Sequence, residues 1–253
     1  LTGSPVTKSP LDLYSQCAFL DEDLLGHVSY YTFRNRYAVM IDRNFGGRRV
    51  QIVGSYQRLD ELEEILKEFS YRVQKKDCLD LPKKIFMSRN VELTKEQQEA
   101  YATMKSAALA SLKGKMATAP HVLTQLMRLH QISCGHFKSD DGVITTLQHN
   151  RIDELLDLTN EMEGKVIIWA NYVHDIKEIT QALEVEYEEG CVVQYYGEVS
   201  SEDRQKAIKE FQDPKSKVRY FVGNTQTGGY GITLTAASNV IYYSNSYDLE
   251  KRL

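Results

Sequence analysis

The glycine-rich stretch Thr225–Thr235 has the spacing most typical of ligand binding. It contains Gly228, Gly229 and Gly231, and glycine is costly unless the backbone must approach another group closely or adopt a positive φ. The stretch follows a β-rich apolar run, so its amides and hydroxyls would lie at the carboxyl end of a parallel strand, where α/β sheets bind phosphates. A tight strand-to-helix turn explains the same spacing without a ligand, and both interpretations stay open.

Several other chemistries lack support in the sequence. The pairs Gly114-Lys115 and Gly164-Lys165 are each followed by an apolar residue, so neither completes the phosphate-binding pattern G-x-x-x-x-G-K followed by Ser or Thr. The six histidines and four cysteines show no paired metal-ligand spacing. The acidic pairs fall on predicted helices rather than directly after a buried strand, which disfavours a magnesium carboxylate. The sequence therefore predicts neither a P-loop nor a metal site.

A basic run at Arg72–Lys84 is the main positive feature of a chain with a net charge of −4. It includes Lys75 and Lys76 and has five basic residues against two acidic ones. Such a run could neutralise several phosphates of a nucleic acid. A solvated linker before Pro82 explains it equally well.

The composition is that of a folded globular protein with one or two domains. The chain has 253 residues, of which 42% are hydrophobic and 26% charged. No apolar run approaches the roughly 18 residues of a membrane-spanning helix. The cysteines are scattered singly, which favours a reducing compartment, the cytoplasm or, in a eukaryote, the nucleus.

From residue 165 onward, apolar runs alternate with helical patterns. The predicted strands are Lys165–Trp169, Cys191–Tyr196, Lys217–Val222 and Asn239–Tyr243, and the predicted helices between them are Val173–Glu189 and Ser201–Phe211. The strands are apolar throughout rather than alternating, as expected for a parallel sheet covered by helices on both faces. This pattern predicts a doubly wound α/β lobe.

The first part of the chain is predicted to be mostly helical. Helices are expected at Leu11–Leu20 and Leu59–Phe69, with a single strand at Lys84–Leu93. Thr94, with Gln97 three residues later, forms a capping-box pattern that opens a further helical region. We therefore expect two domains, residues 1–93 and 94–253.

Several segments resemble, in collinear order, the Swi/Snf-like branch of superfamily 2 helicase-like ATPases. Leu1–Pro5, which reads LTGSP, resembles the third motif of that family, and Arg72–Pro82 resembles its basic connector. Lys165–Tyr172 resembles motif four, and Thr225–Leu234 resembles motif five. The resemblance implies a RecA-like second lobe with a parallel sheet, preceded by a mostly helical remnant of the first lobe.

The resemblance also implies an activity, cofactors and partners. The full-length parent would be an ATP-dependent translocase on double-stranded DNA that uses ATP and Mg²⁺, with no membrane partner. The phosphate-binding loop and magnesium carboxylates of the family would lie before Leu1, and its arginine finger after Leu253. We therefore expect the isolated chain to hold neither cofactor, to be inactive, and to work with the N-terminal RecA-like lobe of the same protein.

The resemblance assigns roles to individual residues. Those expected to couple nucleotide to lobe movement are Thr2, Gly3 and Ser4. Those expected to face the nucleotide cleft are Gly228, Gly229 and Gly231. Those expected to contact nucleic acid are Asn171, Tyr172, Thr225, Gln226, Lys75 and Lys76. Gln226 and Thr227 stand where the family favours a basic residue and then alanine, and Thr233 stands where it favours asparagine, so contact with DNA through this loop is expected to differ.

Two alternatives remain at this level. The departures at Gln226 and Thr227 are compatible with a non-catalytic module that binds DNA or docks to a partner without hydrolysing ATP. The glycine-rich loop alone is also compatible with an α/β enzyme that binds a sugar nucleotide or phosphate.

Overall fold

The computed structural model describes residues 5–6, 8–45, 48–73, 78, 80, 84–113, 119–139, 141–228 and 231–246. The chain divides into two compact units, Leu1–Phe86 and Met87–Leu253. The division falls inside the segment 84–93, a few residues before the boundary expected from the sequence. Each unit has its own buried core.

In the described part of the first unit, three α-helices pack against a two-stranded hairpin. Its elements are α1 (Leu13–Leu20), α2 (Tyr30–Tyr37), β1 (Ala38–Phe45), β2 (Arg48–Tyr56) and α3 (Leu59–Phe69), and β1 and β2 pair antiparallel. Ser29 caps α2 by accepting a hydrogen bond from the Thr32 N–H group. Phe33 and Tyr37 of α2 are fully buried and form the centre of this core together with Leu62 of α3.

The hairpin corrects the sequence prediction for this region. The strand expected at Lys84–Leu93 is wrong, because these residues form no regular element and Ile85 and Phe86 are more than four-fifths exposed. The hairpin itself was missed because both of its faces carry apolar residues: Met40 packs on the core whereas Ile41 is exposed. The Gly46-Gly47 pair in the sequence is a typical hairpin-turn signal and could have revealed it.

The second unit contains helices and a short hairpin followed by a parallel sheet. Its first elements are α4 (Lys95–Lys113), α5 (Ala119–Cys134), β3 (His136–Lys138), β4 (Ile144–Thr146) and α6 (Arg151–Glu161). The sheet region comprises β5 (Lys165–Trp169), α7 (Val173–Glu186), β6 (Val192–Tyr195), α8 (Ser201–Gln212), β7 (Tyr220–Gly223), a single helical turn Thr225–Gly228, and β8 (Ala237–Tyr242). The strand order is β6-β7-β5-β8, and all three pairings are parallel. The predicted α/β lobe with a parallel sheet is confirmed.

Strand β5 is buried on both faces because alternate side chains enter two separate cores. Val166 and Ile168 pack with residues of α6 and α7, whereas Trp169 on the other face packs with Phe211 of α8. Alternate residues of a strand point to opposite faces, so a strand covered by helices on both sides must be apolar throughout. This explains why β5 reads as a continuous apolar run.

The predicted capping box at the start of α4 is confirmed. The Thr94 hydroxyl accepts a hydrogen bond from the Gln97 N–H group at 3.3 Å, and Gln97 Oε1 accepts one from the Thr94 N–H group at 3.1 Å. Gln97 is also fully buried, and its Nε2 donates to the Ile132 carbonyl at 2.9 Å. One side chain therefore caps α4 and joins it to α5.

Replacement of Gln97 by alanine should destabilise the second unit by about 1–3 kcal/mol, because it removes both the buried hydrogen bond to the Ile132 carbonyl and the acceptor for the Thr94 N–H group. The matched control is Gln98→Ala, which removes one hydrogen bond from an exposed glutamine to the Leu93 carbonyl and should cost less than about 1 kcal/mol. Urea unfolding of the chain, followed by fluorescence of the single tryptophan, Trp169, measures both. Equal losses for the two variants would contradict the role of Gln97.

Candidate nucleic-acid interface

A pocket of about 220 Å³ lies at the carboxyl edge of the parallel sheet. Its lining residues follow β5, β7 and β8 or lie on α5, and they are Met127, His130, Asn171, Tyr172, Asn224, Thr225, Gln226, Asn245 and Ser246. Most are amides or hydroxyls, and no lysine or arginine is among these lining residues. The pocket therefore offers neutral hydrogen-bonding groups at the edge where parallel sheets bind ligands.

Three amide side chains of the pocket have no partner within the described part of the chain. Asn171 and Gln226 make hydrogen bonds only through backbone atoms. Asn245 makes none within the described residues. Their amide groups can each donate and accept hydrogen bonds. The pocket therefore holds unused donors that are available to a ligand.

The loops that carry these amides are fixed by hydrogen bonds between them. Asn224 Nδ2 donates to the Asn171 carbonyl at 2.7 Å, and Asn224 Oδ1 accepts from the Gln226 N–H group at 2.7 Å. On the other side of β5, the Ser244 hydroxyl accepts from the Asn171 N–H group at 2.8 Å. Both polar atoms of the Asn171 backbone are therefore held by residues that follow the neighbouring strands.

A buried polar cluster lies behind Asn171. Asp175, in the first turn of α7, is fully buried, and its Oδ1 lies 3.0 Å from Nδ1 of the buried His136, an ion-pair distance without an aligned hydrogen bond. The Ser244 hydroxyl donates to Asp175 Oδ2 at 3.4 Å. Because an unpaired buried carboxylate is very costly, these contacts fix Asp175 and, through Ser244, the start of the loop after β5.

Tyr172 is held at the pocket by α5. Its hydroxyl lies 2.8 Å from Nδ1 of His130, and the two rings are 5.5 Å apart. Burial lowers the pKa of His130 below its ordinary value, and the nearby Arg151 cation lowers it further. His130 is therefore neutral at pH 7, so it adds no charge to the pocket.

The glycines of the loop are explained in part by close packing. A Cβ atom at Gly228 would lie 2.7 Å from Cη2 of the Trp169 ring, so only glycine fits there without a shift. Gly231 has a φ of +73° and open space around it, so its backbone conformation rather than its packing favours glycine. Neither residue lines the pocket.

The structure brings together four of the residues expected to contact nucleic acid. Asn171, Tyr172, Thr225 and Gln226 all line the pocket. Gly228 and Gly231 are described but do not line the pocket, and the remaining predicted site residues, Thr2, Gly3, Ser4, Lys75, Lys76 and Gly229, lie outside the described residues. The roles expected for all of these residues stay predictions.

Sequence reasoning missed several pocket residues. Asn224 directly follows β7, and Asn245 and Ser246 follow β8, so the rule that ligands bind at the carboxyl ends of parallel strands could have found them. His130 and Met127 come from α5, far earlier in the chain, and no local pattern links them to the sheet.

Within the residues that the structure describes, no group of three or more histidine, cysteine, aspartate or glutamate side chains lies close enough to hold a metal ion. Among the described helices, none has both the length and the apolar character needed to cross a bilayer.

The sequence matches the SNF2-related domain over residues 1–138 and the helicase conserved C-terminal domain over residues 148–253. The chain belongs to the SNF2-related family. The α/β region that contains its parallel sheet is thus a RecA-like lobe of the type found in SWI2/SNF2 ATPases.

Relatives of this SNF2-related chain include bacterial and human proteins. It is 25% identical over 96% of its length to YwqA of Bacillus subtilis, by name an ATP-dependent helicase/translocase. It is 27% identical over 98% of its length to the human SWI/SNF-related matrix-associated actin-dependent regulator of chromatin subfamily A member 1. The chain spans 26% and 24% of the lengths of these two relatives.

A solved SWI2/SNF2 ATPase core domain from Sulfolobus solfataricus is also similar to this SNF2-related chain. The two are 26% identical with a TM-score of 0.54, and the similarity covers 99% of this chain and 51% of the Sulfolobus chain. The likeness therefore includes residues of both units of the chain.

Substitution of Gly228 by alanine should destabilise the second unit by about 1–3 kcal/mol, because the added methyl group overlaps the Trp169 ring. The emission maximum of folded Trp169 should shift as well. Gly231→Ala is the control, because it introduces only backbone strain of about 1–2 kcal/mol and should leave the emission unchanged. An unshifted emission in Gly228→Ala would show that the loop does not contact the ring.

Iodoacetamide should modify Cys78 alone in the folded chain. Cys78 is exposed, whereas Cys17, Cys134 and Cys191 are buried. Burial also raises the pKa of Cys134 to about 12, so its thiol stays protonated and unreactive at pH 8. Intact mass should show one adduct before unfolding and four in denaturant. More than one adduct on the folded chain would contradict the described packing.

Proposed function

We propose that this SNF2-related chain is part of an ATP-dependent translocase that moves on double-stranded DNA. The observation that carries the proposal is the pocket with unused amide donors at the carboxyl edge of the sheet. Family membership supports ATP as the fuel, and the resemblance of motifs four and five supports DNA as the substrate. We assign the pocket to the phosphate backbone, because a motor that tolerates any sequence must contact phosphate rather than base edges.

In this proposal the pocket residues bind DNA through neutral hydrogen bonds. The amide groups of Asn171 and Gln226 and the hydroxyl of Thr225 donate to phosphate oxygens, and Tyr172 adds its hydroxyl beside them. Lys75 and Lys76 contribute positive charge from the basic connector. Since the pocket lining has no lysine or arginine, its share of the binding energy depends little on salt.

The nucleotide belongs to the full-length protein in this proposal. Gly228, Gly229 and Gly231 face the nucleotide cleft, and Thr2, Gly3 and Ser4 couple nucleotide to lobe movement. ATP and Mg²⁺ supply the driving reaction when bound, and we assign no magnesium ligand to the described residues, which contain no suitable cluster. We propose that the isolated chain does not hydrolyse ATP and works with the N-terminal RecA-like lobe of the same protein.

A second candidate is a module that binds DNA or a partner without hydrolysis. The neutral lining at Gln226, where the family favours a basic residue, motivates it. The two candidates differ in ATP turnover by the full-length protein: a translocase hydrolyses ATP faster when duplex DNA is added. Duplex binding without any ATP turnover would favour the module instead.

Substitution of Gln226 by lysine should make duplex binding by the full-length protein tighter and more sensitive to salt. One added phosphate contact steepens the slope of log K against log salt by about 0.9. Gln205→Lys adds the same charge at an exposed position of α8 outside the pocket and should change the slope less. Titration of a labelled duplex at several salt concentrations measures both slopes. Equal slopes for the two variants would show that Gln226 does not face DNA.

A further inference from the structure

Asn224 uses both ends of its side-chain amide to join the two loops that form the pocket. Its Nδ2 donates to the carbonyl of Asn171, which follows β5, and its Oδ1 accepts from the N–H group of Gln226, which follows β7. Both distances are 2.7 Å. Asparagine suits this position because it offers a donor and an acceptor on one short side chain.

Asn224 is itself fixed to the sheet. Its N–H group donates to the Tyr195 carbonyl of β6 at 3.0 Å, and its own carbonyl accepts from the Thr227 and Gly228 N–H groups at 3.1 and 2.9 Å. It thus caps the single turn that begins the glycine-rich loop. The backbone of Asn224 is therefore fixed to β6 and to the turn that follows, so its side chain extends from a fixed point.

The backbone of Asn171 is held whereas its side chain is not. Asn224 binds the carbonyl of Asn171, and Ser244 binds its N–H group at 2.8 Å. Within the described residues, the Asn171 amide group has no hydrogen-bond partner and lines the pocket. This arrangement fixes the position of a side chain that is left available for a ligand.

We propose that Asn224 is a positioning residue for DNA binding, which sets the spacing of the Asn171 and Gln226 amides so that both can reach one phosphate group. This role rests on the proposed function, because it requires DNA in the pocket. Asn224 acts through its two neighbours and need not contact DNA itself.

The informative variant is Asn224→Asp. Aspartate caps a helical turn as well as asparagine does, so it keeps the acceptor for the Gln226 N–H group. It has no donor for the Asn171 carbonyl and places a second acceptor against it, so the link between the loops is lost. The matched control is Asn239→Asp: Asn239 lies near the start of β8, and its Nδ2 donates to the Glu163 carbonyl at 3.0 Å. The control makes the same charge change and loses the same kind of hydrogen bond at the opposite edge of the sheet.

The test measures the affinity of the full-length protein for a labelled DNA duplex. Asn224→Asp should weaken binding by about fivefold to tenfold, the equivalent of one hydrogen bond, whereas Asn239→Asp should weaken it less than about twofold. The loss should be the same at about 0.1 M and 0.3 M salt. Repulsion of DNA by the new carboxylate would instead shrink with salt, and that result would overturn the positioning role.

Measuring Asn224→Asp in a protein that already lacks both amides separates a positioning role from a folding defect or a direct contact with DNA. In Asn171→Ala/Gln226→Ala, the side chains that Asn224 positions are gone, so adding Asn224→Asp should cost less than about twofold more. A general folding defect or a direct contact of Asn224 with DNA would cost the same in both backgrounds. Equal losses would therefore overturn the proposal.

The outcomes also separate this inference from the proposed function. If Asn171→Ala/Gln226→Ala binds the duplex with unchanged affinity, the DNA contact itself is wrong, and the role of Asn224 is wrong with it. If that double variant loses affinity while Asn224→Asp does not, the DNA contact stands and only the positioning role is overturned.

Discussion

Parallel pairing of β5 with β7 on one side and β8 on the other determines where the pocket residues lie. Parallel strands end at the same edge of a sheet, so the residues that follow them meet there although they are distant in sequence. Asn171, Asn224 and Asn245 are brought together in this way. The central position of β5 depends in turn on its burial on both faces, with Ile168 in one core and Trp169 in the other. A polar substitution in β5 would thus disturb the pocket without touching it.

The sheet and part of the pocket could be predicted from the sequence because local patterns encode them. The apolar run Lys165–Trp169 predicts β5, and the amphipathic pattern from Ser201 to Phe211 predicts α8. Both elements are found where they are expected. The capping box of Thr94 is equally local, since donor and acceptor are three residues apart. Asn171 and Gln226 could be named because they lie in the segments that resemble motifs four and five of the family.

The remaining features depend on contacts that no local pattern records. The pairing of His136 with Asp175 and that of His130 with Tyr172 each join segments about forty residues apart. The hairpin of the first unit was missed for a different reason: its exposed face is also partly apolar, so alternation did not reveal the strands. Sequence patterns thus locate elements and their ends, whereas the partners of polar side chains emerge only from the folded chain.

The neutral lining of the pocket has a consequence for kinetics. A lysine or arginine on a phosphate would hold the strand by a long-range attraction that persists over several ångströms. Amide hydrogen bonds act only at contact distance and break completely once the phosphate moves by about one ångström. In the proposed motor, which must release and rebind the strand at every step, such contacts would give short residence times. With DNA in the pocket as proposed, the chemistry of Asn171 and Gln226 would favour rapid release over tight retention.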